Sequence, residues 1–263
     1  YPAGVNDPRM RQDCAALPCA RRVILLQGPA SWFFSRLGRA LRRRGAGVRA
    51  VLACPGDALF WRGPGAIAFR GTRADWPGWL GDLIAAERAT DLVCLGDGRW
   101  LHRTAIAVAR GRGLRLHVLE QGVLRPGFLT LDPEGTGPRM RLPRTREELR
   151  RLAAGLPPPP AGRPGGSFAN YAVMDVAWNL AGLTAPLLWP EWRRHALTHP
   201  VREWAGWLRL AALWPFRRRR AGRVIRALRA HRGPVFAMAL QLETDFAVRR
   251  DGPAGGVAGA LAD

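Results

Sequence analysis

The chain contains no lysine. All 41 of its basic residues are arginine, against 20 acidic residues, for a formal charge of +21 over 263 residues. That absence excludes chemistry outright, since neither a P-loop lysine nor a Schiff-base lysine is available. Cysteine is scarce: Cys14, Cys19, Cys54 and Cys94 form no C-x-x-C pair and show no Cys/His zinc spacing. Cys54 and Cys94 close apolar runs and are expected to be buried, reduced thiols of a cytosolic protein. No stretch reaches the roughly 18 uninterrupted apolar residues of a spanning helix, and Leu180–Trp189 is the longest candidate. The opening residues have no apolar h-region and so do not read as a signal peptide. A start at Tyr1 rather than Met predicts a chain incomplete at that end. These absences leave a soluble or membrane-peripheral chain.

Hydrophobic residues make up 48% and charged residues 23%, enough to bury a core and too apolar for a disordered tail. The arginine excess, with abundant Ala, Gly and Pro, fits both the coding bias of a GC-rich genome and selection for an anionic partner. Short β-prone runs at Val23–Leu26, Val48–Ala53, Ala66–Phe69, Leu92–Leu95 and Leu114–Leu119 read as buried strands. Between them, Trp32–Arg44, Trp76–Arg88 and Leu101–Arg112 have the length and pattern of helices. This alternation predicts an α/β fold with a parallel sheet covered on both faces, a Rossmann-like lobe. Ligands of such sheets bind at the carboxyl ends of the strands. The segments that follow those ends are Gln27–Ser31, Gly96–Arg99 and Glu120–Pro126.

Residues 1–155 form this predicted lobe, and 156–166, with the run Pro157–Pro160, is a linker by composition. Residues 167–231 read as a helical region holding six of the eleven tryptophans, with Arg217–Arg220 opening another helix. Residues 232–263 look like the start of a second α/β lobe, with Pro234–Leu240 as a buried strand and Gly255–Leu261 as a helix start.

Gln27-Gly28-Pro29 ahead of a helix can offer backbone N–H groups to an anion, although Pro29 removes one donor; the same residues also suit a plain turn. Asp97, Arg99 and His102 fall within six residues just past a strand. A carboxylate and an imidazole there can do acid–base work while Arg99 holds a phosphate or carboxylate; an Asp cap with a solvated histidine fits equally. Glu120, near Arg125, is either a base or nucleophile at a strand end or a loop-locking carboxylate. The Trp- and Arg-rich helices suit base stacking, a lipid interface, or core with snorkelling edges. Among the uses other than core, the membrane surface is favoured, because indoles prefer the headgroup region and arginines are drawn to an anionic leaflet. No recognition motif supports nucleic-acid binding, which would show as steeply salt-dependent DNA affinity.

Taken in order, several segments resemble one family. They are Leu25-Leu26-Gln27-Gly28-Pro29 with Phe33-Phe34, Gly56-Asp57 with Phe60-Trp61, and Arg70-Gly71 before Trp76. Next come Gly96-Asp97-x-Arg99-x-x-His102, then Glu120-x-Gly122-x-Leu124-Arg125-Pro126 with Leu129-Thr130-Leu131, and Leu142-Pro143-Arg144. The segment Leu240 to Phe246 closes the series. Each motif is soft alone; seven in order are specific. The chain is similar to the capsular polysaccharide biosynthesis/export family of Gram-negative bacteria, in its short KpsS/LipB-type branch.

The resemblance implies a GT-B-like glycosyltransferase with two Rossmann-like lobes, the nucleotide sugar being held mainly by the second. It implies a retaining β-Kdo transferase that uses CMP-Kdo and places Kdo on a phosphatidylglycerol-type lipid, starting the capsule linker. No cofactor or metal is implied, because CMP is itself the leaving group and arginines can stabilise its charge. The implied location is cytoplasmic and peripheral on the inner membrane, beside an anionic phospholipid acceptor and capsule assembly or export proteins. Glu120, Asp97 and His102 are the catalytic candidates. Gln27, Gly28, Arg99, Arg125, Gln241 and Asp245 are the candidates for substrate binding. The family usually has Cys at Gly98, Glu-Glu-Gly-Tyr at Glu120–Val123, a Val-Asn-Gly-like turn at Thr136–Pro138, and Gln-Ile-Arg-x-His-Ser at Ala247–Gly252. With the donor lobe barely begun, the chain as it stands is expected to be inactive, a fragment or a decayed copy. The competing reading is a non-catalytic, membrane-peripheral capsule assembly or export factor.

Overall fold

The computed structural model describes residues 21–121, 128–158, 167–194, 198–237, 242, 245–252, 256 and 259. Cys14, Cys19, Arg125 and Gln241 lie outside them. Two compact units divide between Arg193 and Arg194.

The first unit is built on one sheet. Its strands are β1 (Arg22–Leu25), β2 (Gly47–Leu52), β3 (Ala66–Ala68), β4 (Asp91–Leu95), β5 (Arg115–Gln121) and β6 (Leu129–Asp132), in the order β3-β2-β1-β4-β5-β6. β1 to β5 are parallel, and β6 returns antiparallel to β5 with Thr130 opposite Glu120. The connecting helices are α1 (Phe33–Arg43), α2 (Pro55–Phe60), α3 (Trp76–Ala86) and α4 (Trp100–Gly111). All five expected strands and all three expected helices form, giving the α/β Rossmann-like lobe. β6 is an addition to the expected set: Leu129 and Leu131 face solvent, and an edge strand with exposed leucines carries no buried-strand pattern.

Alternation along the strands explains why both faces are covered. In β1 and just past it, Ile24 and Leu26 point to one face and join Trp76, Leu80 and Ile84 of α3 and Leu101, Ala105 and Ala109 of α4. Val23 and Leu25 point to the other face, toward Phe34, Leu37 and Leu41 of α1. The helical residues recur at a spacing of three or four, the period that puts one stripe on the sheet. Trp76 is fully buried and spends its one polar atom on a hydrogen bond from Nε1 to the Leu101 carbonyl at 3.0 Å.

After α5 (Arg146–Ala153), α6 (Phe168–Gly182) and α7 (Ala185–Leu188) pack with this same unit rather than with the later helices. The reason is Trp178, which is buried with Cys54 and Phe60 against α2, joined by Met174 and Trp192. Gly56 makes the approach possible, since a Cβ there would overlap the Trp178 indole. Gly56→Ala is therefore expected to cost about 1–3 kcal/mol by overpacking, read as a lowered denaturant midpoint, with Trp178→Phe recovering part of the loss. An unchanged midpoint would show that α6 does not need the close contact.

The second unit contains α8 (Pro200–Ala230) and α9 (Phe246–Asp251). Arg217–Arg220 lies inside α8 and does not open a helix, because α8 already starts at Pro200 and continues through Pro215 into the arginine run. The expected strand at Pro234–Leu240 does not form over its described residues 234–237, which are exposed, Phe236 at 93%. A strand needs a partner for its backbone groups, and no described segment pairs with this one. Most of Gly255–Leu261 lies outside the described residues. No helix among the described residues is long and apolar enough to cross a membrane.

Candidate functional site

The strand order reverses between β1 and β4, where successive connections leave in opposite directions and open a crevice at the carboxyl ends. Gln27 follows β1, Asp57 lies in α2 just past β2, Gly96–Arg99 follows β4, and Glu120 lies at the end of β5. The topology therefore converges these side chains on one edge of the sheet.

Three of them form a polar chain. Arg99 Nη1 donates to Gln27 Oε1 at 2.9 Å, and Gln27 Nε2 donates to Asp57 Oδ2 at 3.1 Å. The Ala53 backbone N–H donates to the same Asp57 oxygen at 3.0 Å. Gln27 is 5% exposed, and only this orientation of its amide satisfies both neighbours, with the carbonyl toward the guanidinium and the NH₂ toward the carboxylate. Burial pushes Asp57 up from its ordinary value, partly offset by the Ala53 N–H, the Gln27 amide and the Arg99 charge. Burial likewise pulls Arg99 down, opposed by Asp57 and Glu120 among others. Arg99 stays charged regardless, so the crevice holds a fixed, partly desolvated cation between two carboxylates. It occupies the N-cap position of α4 with extended backbone, which lets its side chain leave the helix axis.

Glu120 is half-buried. Its Oε1 accepts from the Gln121 backbone N–H at 3.1 Å, and its carboxylate lies over Gly96. Gly96 has φ +69 and turns the chain sharply out of β4. Asp97 points the other way, into a knot with the segment after β6. Thr136 Oγ1 donates to Asp97 Oδ1 at 2.7 Å, while the Thr136 N–H at 3.2 Å and Arg139 Nε at 2.6 Å donate to Oδ2. Gly135, at φ +148, admits that approach because a Cβ there would meet Asp97 Oδ2. His102 is fully buried, and its Nδ1–H donates back to the Gly96 carbonyl at 3.0 Å. Gly28 packs against the Phe34 ring, which a Cβ would strike. Asp245 is exposed and belongs to the second unit.

The structure thus joins Gln27 and Arg99 with Glu120 close to Arg99, and sets Asp97 and His102 behind them. Asp57 is the residue that sequence reasoning quotes but does not select. Its one signal is an acid a few residues past a strand, whose use shows only through Gln27. Cys54 and Cys94 are buried, and burial pushes their thiols well up, Cys94 to about 12, so neither serves as a thiolate nucleophile near neutral pH.

A pocket of about 30 Å³ beside Gln27, Asp57, Phe34 and Trp61 has room for a water and not for a sugar. A larger cleft of about 480 Å³ opens at the opposite ends of β1 and β2. Its arginines are already committed, Arg42 to the Val48 and Pro64 carbonyls, Arg49 to Glu87 and Arg21 to Asp91. Size alone would choose that cleft; topology and the Arg99 chain choose the carboxyl ends.

The sequence model of the family described as capsule polysaccharide biosynthesis protein matches residues 90–263. The match starts just before β4 and includes Asp97, Arg99, His102 and Glu120. Capsule polysaccharide export protein KpsS of Escherichia coli is 30% identical over 194 residues, covering 74% of this chain and 49% of that protein. Capsule polysaccharide modification protein LipB of Neisseria meningitidis serogroup B is 27% identical over 198 residues, covering 72% and 47%. The serogroup A LipB is 31% identical over 130 residues, covering 49% and 31%. The chain spans about half the length of KpsS and of the serogroup B LipB. With the family match spanning β4 onward and Arg99 and Glu120 inside it, the chain belongs to the capsule polysaccharide biosynthesis protein family.

Proposed function

We propose that this chain carries the acceptor-side lobe of a glycosyltransferase that moves Kdo from CMP-Kdo to a phosphatidylglycerol-type lipid. The observation that carries the reading is the Arg99 guanidinium, fixed by Gln27 at the strand-order reversal, with Glu120 at the end of the neighbouring strand β5. A fixed cation there suits an anionic reactant, either the Kdo carboxylate or a phosphate. A carboxylate beside it suits a hydroxyl that must lose its proton. In the transfer, the bond from the anomeric carbon to the CMP phosphate oxygen breaks and the acceptor hydroxyl oxygen bonds to that carbon on the face CMP leaves, so that the configuration is retained. CMP leaves with the electron pair, and the hydroxyl proton passes to a base, the role assigned to Glu120. Asp97 and His102 are read as groups that shape the loop after β4, because their bonds run to Thr136, Arg139 and Gly96. No metal or other cofactor enters this scheme.

The test uses the full-length protein with CMP-Kdo and phosphatidylglycerol, reading the lipid product by mass. A lipid heavier by one Kdo is expected, with turnover falling about 10²-fold in Glu120→Gln, the low end of what a general base contributes. A folded protein that yields no product would remove the activity and favour the assembly-factor reading.

A further inference from the structure

Both polar atoms of the Gln27 carboxamide are engaged within the protein. Oε1 accepts from Arg99 Nη1 at 2.9 Å, and Nε2 donates to Asp57 Oδ2 at 3.1 Å and to Cys54 Sγ at 3.5 Å. The two amide hydrogens and the oxygen are thus in use, in a residue that is buried. Gln27 is placed to transmit an orientation and not to touch a reactant itself.

The chain of bonds through Gln27 ends on backbone. Asp57 Oδ2, which receives the Gln27 amide, also accepts the Ala53 N–H just past β2. Asp57 is the third residue of α2, so its side chain folds back over the helix start to reach that N–H. α2 is itself pinned, with Trp178 closing over Gly56. The order is therefore strand end, carboxylate, carboxamide, guanidinium. A guanidinium carries five N–H donors in one plane, and Arg99 gives one of them to Gln27. That bond at Nη1 restrains the plane of the fork, which decides where the other donors face. Turned over, the Gln27 carboxamide would set its NH₂ against the guanidinium and its oxygen against the carboxylate, two repulsive pairings in place of two bonds. Asp57 opposes that turn from the far side.

We infer that Asp57 is a positioning residue of the crevice: anchored on Ala53, it holds the Gln27 carboxamide, and the carboxamide aims the Arg99 fork at the anionic reactant. The inference rests on the anion-holding role proposed for Arg99 and names what sets its direction. What Arg99 takes from Asp57 is an acceptor for the carboxamide, not a counter-charge. Asparagine distinguishes the two, because its Oδ1 can accept from the Ala53 N–H and from Gln27 without carrying charge. Alanine removes both.

The experiment uses the full-length protein with isotope-labelled arginine and has two readouts. Nitrogen NMR without substrate follows rotation of the Arg99 guanidinium about its Nε–Cζ bond, the Arg99 signal being the one lost in Arg99→Gln. Slow rotation is expected in the wild type. Asp57→Ala should speed it about tenfold or more, the scale for losing a hydrogen bond to a charged group. Gln27→Met should do the same while leaving Asp57 on Ala53, so it decides the question if Asp57→Ala fails to fold. Asp57→Asn should restore slow rotation. In Kdo transfer to phosphatidylglycerol, both disrupting variants should lose about 10²-fold in kcat/KM, the scale for a misplaced binding group. Asp57→Asn should recover most of that loss. Unchanged rotation in both disrupting variants overturns the inference. So does fast rotation in Asp57→Asn, which would make Asp57 a counter-charge, and so does undiminished transfer by a protein whose Arg99 rotates fast. The expected rotation pattern in a protein that transfers no Kdo keeps the positioning chain and removes the transferase; transfer by a wild type whose Arg99 already rotates fast does the reverse.

Discussion

Replacing Asp91 with asparagine is expected to cost about 1.5–3 kcal/mol of folding stability, the range for hydrogen bonds to a charged group. Asp91 opens β4 at the end of the sheet away from the crevice, with 1% of its side chain exposed. His117 Nε2 donates to it at 2.8 Å, Arg115 Nε at 3.2 Å and Thr90 Oγ1 at 2.5 Å, and Arg21 Nη1 stands at 3.6 Å. These groups belong to the starts of β1, β4 and β5, so one carboxylate ties three neighbouring strands. Asparagine keeps the shape, loses the charge and turns an NH₂ toward groups that donate. Burial alone would raise Asp91, but the bonds from Thr90, His117 and Arg115 and the charge of Arg21 outweigh it and hold the carboxyl below its ordinary value. A group depressed in the native state contributes its full stabilisation above its unfolded value, about 3.9, and loses it as pH falls toward the native one. The wild-type protein should therefore lose stability on acidification below about pH 4, and Asp91→Asn should lose less over the same interval. Denaturant midpoints at pH 7 and pH 3 decide it. A deficit under about 1 kcal/mol at pH 7 would show that the cluster is dispensable.

The parallel core was legible because buried strands in such a lobe are short continuous apolar runs, as in Val23 to Leu26 and Leu92 to Leu95. Where burial and pattern part company, reading failed. β6 has leucines that face water, and residues 234–237 have an apolar pattern with no partner among the described residues. The grouping of Phe168–Gly182 with later helices followed composition, whereas its place is set by contacts far apart in sequence, Trp178 on Gly56, Cys54 and Phe60 among them. The site divides in the same way. Gln27, Arg99 and Glu120 stood out because each follows a strand end, and the carboxyl-end rule is local. Asp97 reads as either an acid–base group or a helix cap, and neither reading anticipates Thr136 and Arg139, 39 and 42 residues away, on its oxygens. Asp57 has no distinctive local mark, and only the folded Gln27 amide connects it to Arg99.

Arg99→Gln is expected to lower turnover of the full-length protein by about 10³-fold, the upper range for losing one preorganised electrostatic contact. The substitution removes the cation, and it also strands Asp57, a half-buried carboxylate whose charge Arg99 helps to balance. A fall in activity alone would not distinguish an anion-holding role from damage to the fold. Adding Asp57→Asn separates them, because asparagine can still accept from the Ala53 N–H and Gln27 without carrying an unbalanced charge. The double variant should recover most of the stability lost in Arg99→Gln and none of the turnover, a coupling that two contacting groups show and independent sites do not. Arg99→Lys should remain well below wild type, since an ammonium that bonds Gln27 Oε1 has no planar fork left for a carboxylate or phosphate. Two outcomes count against this assignment: turnover restored in the double variant, which would make Arg99 a structural counter-ion for Asp57, or full activity in Arg99→Lys, which would reduce its role to a point charge.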